Sequence, residues 1–402
     1  MKVLMAPAQV LLSSRTGTEP TWAYNIVARL VRRFTVQLDV VCGKADDLTL
    51  PSCVRVFEVG FDKGDLMNRA LFYFRCYGMA KRLYEDADVV HHMSPFGFRA
   101  GLNPLAVLRH LREKPFIIGP IQYPQEYSDV TDYELVSGRR GLRARLFYGL
   151  ESVAAKSISQ LIGVLHELTL REAEALVFDS KKALRLYNSL YSDLLKDKML
   201  EVIPPGVEIE VFKYVPPIKK DYFEIMTAGY LLRRKGIQHL IEAMPLILKE
   251  IKNVRLRIVG DGPFKNELMR LVKKLSLNDR VHFEGLVPRN EMAKYYANCD
   301  IYVQPSLSET FPSTIREAMS VGRPVIATKV GFVEEHIING VNGFLVLRGD
   351  IEEMANKVLL LLGDENLRLE MGARAREYAE RNFNWDKIVA MWYGVYSKLA
   401  GH

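Results

Sequence analysis

The sequence predicts an α/β protein with two domains, each built on a parallel sheet and both facing a central cleft. A length of 402 residues exceeds one ordinary domain. Short apolar runs alternate with amphipathic segments of about 10–15 residues, which is typical of βαβ units. Proline-rich segments at 203–207 and 215–220 interrupt this alternation and indicate a domain boundary. We therefore expect a first domain at 1–205, a second at 206–384 and a final helix at 385–402.

The first half of the chain follows the order that βαβ units require. Helices are expected where apolar residues recur every three or four positions, as Trp22, Ile26 and Leu30 do, and strands where β-branched and apolar residues cluster. On these signals the predicted strands are 2–6, 36–42, 89–92 and 116–119, and the predicted helices are 21–34, 66–84 and 104–112.

The second half repeats the pattern. The predicted strands are 224–229, 255–259, 281–285, 301–304 and 325–328, and the predicted helices are 236–251, 264–275, 289–297 and 314–321. The final helix carries Ile388, Met391, Trp392, Val395 and Leu399 on one face, so it should pack on the body of the protein. Periodicity leaves open whether this helix crosses back to the first domain.

Composition restricts the classes of function. The hydrophobic fraction is 49%, the charged fraction 26% and the net charge +7, which describes a globular protein that favours anionic partners. Only this charge favours nucleic acid, so we expect no nucleic-acid partner. The four cysteines are scattered without metal-ligand spacing, which indicates reduced thiols of a cytoplasmic protein and no metal site. No uncharged apolar run is long enough to span a bilayer.

Two acidic residues are the most informative feature of the second half. Glu309 follows the predicted strand at 301–304, and Glu317 lies in the next predicted helix. Ligands of open parallel sheets bind at the carboxyl ends of strands, beside helix N-termini whose free N–H groups favour phosphate. Two carboxylates around such an anion site suit a nucleotide sugar. Alternatively, Glu309 stabilises the helix dipole and Glu317 is an ordinary exposed residue.

A basic loop adds a second signal. Arg233, Arg234 and Lys235 lie between Gly229 and Gly236, after a predicted strand and before a predicted helix. A hydrogen bond from such a cation to a phosphate contributes about 1.5–3 kcal/mol. The position favours a phosphate site, and the alternative is a solvated basic loop.

The second domain resembles the retaining glycosyltransferases of family 4, also called glycosyl transferases group 1, which adopt the GT-B fold of two Rossmann-like domains. The motifs that carry the resemblance are the segments 203–212, 229–236, 259–263, 280–285, 309–317 with 324–327, and 340–346. The first domain matches more loosely, through Gly17 with Thr18, the helix from Thr21 and the segment 88–91. The resemblance covers nearly the whole chain, with its weight behind residue 200.

The resemblance implies transfer of a hexose-type sugar from a nucleotide-diphosphate sugar to a hydroxyl acceptor, with retention and without metal or cofactor. It assigns the acceptor side to the first domain and the donor to the second. Lys235 would grip the donor diphosphate, Glu317 the ribose and Glu309 the transferred sugar, with the backbone near Phe311 close by. Gly17 would let a first-domain loop approach the diphosphate. Glu309 and Lys235 are the candidate catalytic residues.

Some positions depart from the family pattern. Tyr230 replaces the usual arginine, whose charge Arg233 or Arg234 would supply instead, and Thr310 and Pro312 replace glycines. These departures keep open a catalytically weak nucleotide-sugar-binding protein. The other alternative is a sugar-nucleotide epimerase or a phosphorylase of the same fold.

The acceptor side offers weaker candidates. His91 and His92 end a predicted strand, where one of them would reach the cleft, or where the pair simply closes the strand. Gln122 and Tyr123 follow the next strand and are further candidate acceptor contacts.

A basic segment without acidic residues follows in the first domain. Its cations are interleaved with Leu142, Leu146, Phe147 and Leu150, so it would suit an anionic membrane. The acceptor would then be lipid-linked rather than a glycan or a small molecule. The enzyme would be peripheral on the inner face of the membrane. Alternatively, the segment is a helix packed with its apolar side inward. The cations are Arg139, Arg140, Arg143 and Arg145.

Overall fold

The computed structural model describes residues 1–13, 18–46, 48–60, 66–93, 106, 114–123 and 166–401. These residues form two compact units. The described part of unit 1 falls within 1–124, 153–206 and 385–402, and that of unit 2 is 207–384. Each unit has its own parallel sheet, which confirms the predicted α/β class.

Unit 1 contains a parallel sheet of seven strands in the order β3-β2-β1-β4-β5-β6-β7. The strands are β1 (Lys2–Ser13), β2 (Gln37–Asp46), β3 (Val54–Glu58), β4 (Val89–His92), β5 (Phe116–Ile121), β6 (Ala175–Phe178) and β7 (Met199–Val202). The helices with assigned bounds before residue 206 are α1 (Thr18–Arg33), α2 (Leu66–Leu83) and α3 (Lys181–Leu195). Strand β1 is longer than predicted, and β3, β6, β7 and α3 were not predicted. The predicted helix at 104–112 lies outside the described residues except for Ala106.

Apolar side chains cover both faces of the unit 1 sheet because successive residues of a strand point to opposite faces. Val3 and Met5 face the core under α1, and Leu4 and Ala6 face the core under α2. Both faces are therefore buried, as is usual for a parallel sheet.

The last helix, α10 (Trp385–Ala400), packs within unit 1 against α1. The ring of Trp392 meets Trp22 edge-on with centroids 6.5 Å apart. Phe34 and Tyr393 stack at 4.0 Å. The polypeptide thus leaves unit 1 after Gly206 and returns to it at Trp385.

Unit 2 contains a parallel sheet of six strands in the order β10-β9-β8-β11-β12-β13. The strands are β8 (Phe223–Ala228), β9 (Val254–Val259), β10 (Val281–Gly285), β11 (Ile301–Gln304), β12 (Val325–Thr328) and β13 (Gly343–Val346). The helices are α4 (Ile237–Glu250), α5 (Lys265–Lys274), α6 (Met292–Asn298), α7 (Ser313–Val321), α8 (Ile351–Gly363) and α9 (Glu365–Asn382). The strand order reverses between β8 and β11, which is the switch point where doubly wound sheets bind ligands.

Candidate functional site

Two loops leave adjacent strands at the switch point of unit 2. One follows β8 and leads into α4, and the other follows β11 and leads into α7. Their backbones touch, since the Leu307 amide donates to the Arg234 carbonyl oxygen over 2.7 Å. Gly236 has φ +69°, and a Cβ there would overlap the Pro305 carbonyl oxygen. Only glycine therefore lets the two loops approach this closely.

The contact between the loops gathers three of the predicted site residues. Arg234 Nη1 lies 2.7 Å from Glu309 Oε1 and 3.1 Å from the Ser308 carbonyl oxygen. Lys235 Nζ forms an ion pair with the same Glu309 oxygen. The side chains are partly accessible, with exposed fractions of 17% for Arg234, 15% for Lys235 and 9% for Glu309. Two cations and one carboxylate thus form a site of net charge +1 at the switch point.

Gly331 and an aromatic cluster pack against the loop that carries Glu309. A Cβ at Gly331 would overlap the carbonyl oxygens of Glu309 and Thr310. The ring of Phe311 is 5% exposed and lies 4.5 Å from the His336 ring. Phe311 therefore anchors the loop through its side chain, and only its backbone is available near the site.

Polar side chains connect the end of β11 to α7. The Tyr302 hydroxyl donates to Gln304 Oε1 over 2.7 Å, and the Thr314 hydroxyl donates to the same oxygen over 2.9 Å. The Gln304 amide donates to Ser306 Oγ over 2.7 Å. No side chain caps α7, whose N-cap is Pro312. An uncapped helix start beside cations favours an anion.

Glu317 is buried, so it is not the ordinary exposed helix residue of the alternative interpretation. Its side chain is 4% exposed. Arg289 Nη1 lies 3.0 Å from Oε1, and the Tyr296 hydroxyl donates to Oε2 over 2.9 Å. Arg289 Nη2 lies 2.6 Å from Glu208 Oε2. Burial alone lowers the pKa of Arg289, but Glu317 and Glu208 raise this pKa above its ordinary value.

Sequence reasoning missed Glu208, Arg289 and Tyr296 as parts of the site. Glu208 lies in the 203–212 motif, whereas Arg289 and Tyr296 lie only in the predicted helix at 289–297. Their pairing depends on contacts between distant parts of the chain. The only signal for Arg289 in the sequence was its position, as a charged residue four positions after the end of the predicted strand at 281–285.

The histidines of β4 are buried within unit 1, and an acceptor contact by one of them stays a prediction. His91 is fully buried, with Nε2 3.0 Å from the Gly119 carbonyl oxygen and Nδ1 2.8 Å from the Tyr396 hydroxyl. A carbonyl oxygen only accepts, so Nε2 carries the proton and Nδ1 accepts from Tyr396. Burial lowers the pKa of His91 to about 3. His92 is also fully buried.

Two other acceptor-side candidates, Gln122 and Tyr123, follow the end of β5. Gln122 and Tyr123 are partly exposed, and the Tyr123 amide donates to Asp179 Oδ1 over 3.3 Å. Lys182 Nζ lies 4.8 Å from the centre of the Tyr123 ring. The remaining candidates lie outside the described residues, namely Gly17, Arg139, Arg140, Arg143 and Arg145.

No group of three or more potential metal ligands is present among the residues that the structure describes. No helix of the same residues is long and apolar enough to cross a bilayer.

Residues 208–378 match the family model of Glycosyl transferases group 1, which confirms the resemblance seen in the motifs. N-acetyl-alpha-D-glucosaminyl L-malate synthase of Bacillus anthracis is 36% identical over 162 residues, covering 40% of this chain and 42% of the relative. A GDP-mannose-dependent alpha-(1-6)-phosphatidylinositol monomannoside mannosyltransferase of Mycobacterium tuberculosis is 28% identical over 207 residues, covering 48% and 54%. The chain thus spans about half the length of these curated relatives.

Solved structures match over nearly the whole chain. Sucrose-phosphate synthase from Thermosynechococcus elongatus superimposes with a TM-score of 0.72 at 20% identity, covering 99% of this chain and 98% of that one. Anabaena HepE in complex with UDP-glucose gives a TM-score of 0.67 at 21% identity, covering 99% and 100%. At these identities the likeness shows the fold, which is GT-B.

Proposed function

We propose that this chain, whose residues 208–378 match the glycosyl transferases group 1, is a retaining glycosyltransferase that moves a hexose-type sugar from a nucleotide-diphosphate sugar to a hydroxyl acceptor. The observation that carries the proposal is the contact of Arg234 and Lys235 with Glu309 at the switch point of unit 2. Two cations that would suit a diphosphate lie there beside a carboxylate that would suit sugar hydroxyls, which supports the proposal. As the family resemblance implies, the reaction needs no metal.

Lys235 and Arg234 take the donor diphosphate in this proposal. Arg234 also contacts the Ser308 carbonyl, so its guanidinium is held at the loop junction. Lys235 lies beside Gly229, where a Cβ would lie 3.9 Å from Nζ. The absence of a side chain at Gly229 thus keeps space next to the ammonium group, where a phosphate oxygen fits.

Glu317 takes the two ribose hydroxyls. An ionised carboxylate has about four acceptor positions. Arg289 and Tyr296 occupy one on each oxygen, so each oxygen keeps one position for a hydroxyl donor. Ribose hydroxyls are neutral donors, so their hydrogen bonds to this buried and already paired carboxylate add no further charge to the site.

The chemistry follows from positioning and electrostatics. The cations stabilise the negative charge that develops on the leaving diphosphate, and Glu309 orients the sugar. Retention arises from a front-face reaction in which the departing phosphate accepts the acceptor's proton. No dedicated general base is then required.

A ligand panel tests the proposal. UDP-glucose and GDP-mannose are the first donors, because a neighbour's structure contains UDP-glucose and a relative depends on GDP-mannose. A bound donor at a hundred times its Kd stabilises the protein by about 2.7 kcal/mol, which a thermal-shift measurement detects. Sugar transfer to added hydroxyl acceptors should follow for the donor that binds. If no nucleotide sugar stabilises the protein, the proposal is wrong.

The acceptor and its location are part of the same proposal. The basic segment with Arg139, Arg140, Arg143 and Arg145 supports a lipid-linked acceptor at an anionic membrane surface. All four cysteines are free thiols, which supports a reducing compartment such as the cytoplasm. Flotation with vesicles tests the membrane contact, and equal recovery with and without anionic lipid would argue against it.

A binding protein without strong activity is the second candidate. Pro312 stands at the N-cap of α7, where it removes one backbone N–H from the anion site. Such a protein would bind the nucleotide sugar in the ligand panel and yet transfer nothing to any acceptor.

A further inference from the structure

We infer that Arg289 is a positioning residue that holds Glu317 for ribose recognition, with Glu208 as its anchor. The inference rests on the proposed function, in which Glu317 binds the ribose. It adds a specific role to a residue that contacts neither the diphosphate nor the sugar in that scheme.

The guanidinium of Arg289 bridges two carboxylates. Nη1 contacts Glu317 at 3.0 Å and Nη2 contacts Glu208 at 2.6 Å, so one planar fork serves both acids. The guanidinium carbon of Arg289, Cζ, lies 5.5 Å from the centre of the Phe212 ring. The Phe212 amide donates to the Glu208 carbonyl over 2.9 Å, so one short turn supplies both the anchoring acid and the ring. Arginine suits such a geometry better than lysine, which is a point charge on a flexible stem.

This bridge fixes the orientation of Glu317. A carboxylate that is only 4% exposed needs a charged partner and hydrogen bonds in place of water. Arg289 supplies the opposite charge and Tyr296 the second hydrogen bond, so the two contacts hold the Glu317 carboxylate in one orientation. Without Arg289 the carboxylate would lose its charged partner and leave this orientation. Its remaining acceptor positions would then no longer face the ribose hydroxyls.

Replacement of Arg289 should therefore weaken the preference of the protein for ribose nucleotides over dideoxy nucleotides. Wild-type protein should bind UDP or GDP more tightly than the 2′,3′-dideoxy counterpart, by roughly tenfold to a hundredfold, the scale of losing hydrogen bonds to a charged group. Arg289→Gln should bring this ratio close to one and leave the Kd of the dideoxy nucleotide unchanged. Arg289→Lys should give an intermediate ratio because it restores the charge without the fork. Glu208→Gln should reduce the ratio less than Arg289→Gln.

Isothermal titration calorimetry of the full chain with these four nucleotides tests the inference. Arg270→Gln is the matched control, because it also removes one arginine ion pair, at 3.0 Å from Glu267 on the exposed face of α5. This control should keep the wild-type ratio. If Arg289→Gln does not fold, Arg289→Lys and Glu208→Gln decide the question through the same ratio.

The outcomes separate the inference from the proposed function. If the wild-type protein binds neither UDP nor GDP, both fail. If it binds with a ribose preference that the Arg289 and Glu208 variants retain, only the inference fails. An equal loss of affinity for ribose and dideoxy nucleotides would mean a general structural role and would also overturn the inference.

Discussion

At the scale of single residues, burial and pairing assign different roles to groups that look alike in the sequence. Glu309 is a partly accessible carboxylate shared by two cations, whereas Glu317 is buried and held by Arg289 and Tyr296. The sequence predicted both acids and Lys235. It did not predict the partners of Glu317, because Arg289 lies 28 positions from Glu317 and 81 from Glu208 along the chain.

Glu309 pairs with both Arg234 and Lys235, the cations of the proposed phosphate site. Glu309→Gln removes this counter-ion, so Arg234 and Lys235 should attract a diphosphate more strongly. We expect UDP or pyrophosphate to bind roughly tenfold more tightly, the scale of one charged contact, while sugar transfer falls. Calorimetry and a transfer assay measure the two effects. Glu267→Gln on exposed α5 is the control, and weaker diphosphate binding by Glu309→Gln would contradict the counter-ion role.

The buried His91 should make unit 1 sensitive to acid. Its pKa is about 3 in the folded protein, below the 6.5 of an ordinary histidine. The unfolded chain therefore binds the extra proton first, and the stability contribution is complete above pH 6.5 and is lost as the pH falls toward 3. In this window the free energy of unfolding should fall by about 1.4 kcal/mol per pH unit from this group. His91→Gln should lower this slope in urea unfolding, and an unchanged slope would argue against a neutral His91.

At the scale of elements, the sequence predicted most strands and helices around the unit 2 site but missed several others. Strands β6 and β7 contain one β-branched residue each, Val177 and Val202, so their strand signal is weaker than that of β12, which has the same length and was predicted. Helix α9 was missed for another reason. Its buried residues include Gly372, Ala375 and Ala379, which carry little hydrophobic signal in a segment that is otherwise strongly charged. Loop motifs were visible because glycines and charged residues stand out individually.

The loop that carries Glu309 depends on the absence of a side chain at Gly331. Gly331→Ala combines the strain of φ +53° with an overlap on the carbonyl oxygens of Glu309 and Thr310, so it should displace the loop. We expect weaker UDP binding and a loss of about 1–3 kcal/mol in the free energy of unfolding. Gly340→Ala is a matched control, because Gly340 has φ +78° and open space around it. Equal effects of both changes on UDP binding would show that the overlap is unimportant.

At the scale of the whole molecule, the chain builds unit 1 from segments on both sides of unit 2. The described residues of unit 2 are continuous from 207 to 384, whereas unit 1 needs α10 from beyond them. The apolar face of α10 was predictable from periodicity. Its position on α1 was not, because the contacts with Trp22 and Phe34 join residues that are far apart in the sequence.

Removing one large side chain of α10 should therefore destabilise unit 1 selectively. Trp392 is fully buried, and Trp392→Ala should lower the free energy of unfolding of unit 1 by about 3–5 kcal/mol. Hydrogen exchange followed by mass spectrometry would locate the loss in peptides of unit 1. Met391→Ala on the same helix is the control, since Met391 is 41% exposed. Equal loss of protection in both units would contradict the selective effect.

The return of α10 to unit 1 also fixes an order of events on the ribosome. The strands of unit 1 are synthesised first, but the helix that covers Trp22 and its neighbours emerges only after all of unit 2. At roughly 5–20 residues per second, this delay is on the order of ten seconds or more. The unit that is started first is thus completed last. During that interval the apolar face that α10 covers in the folded protein has no covering helix.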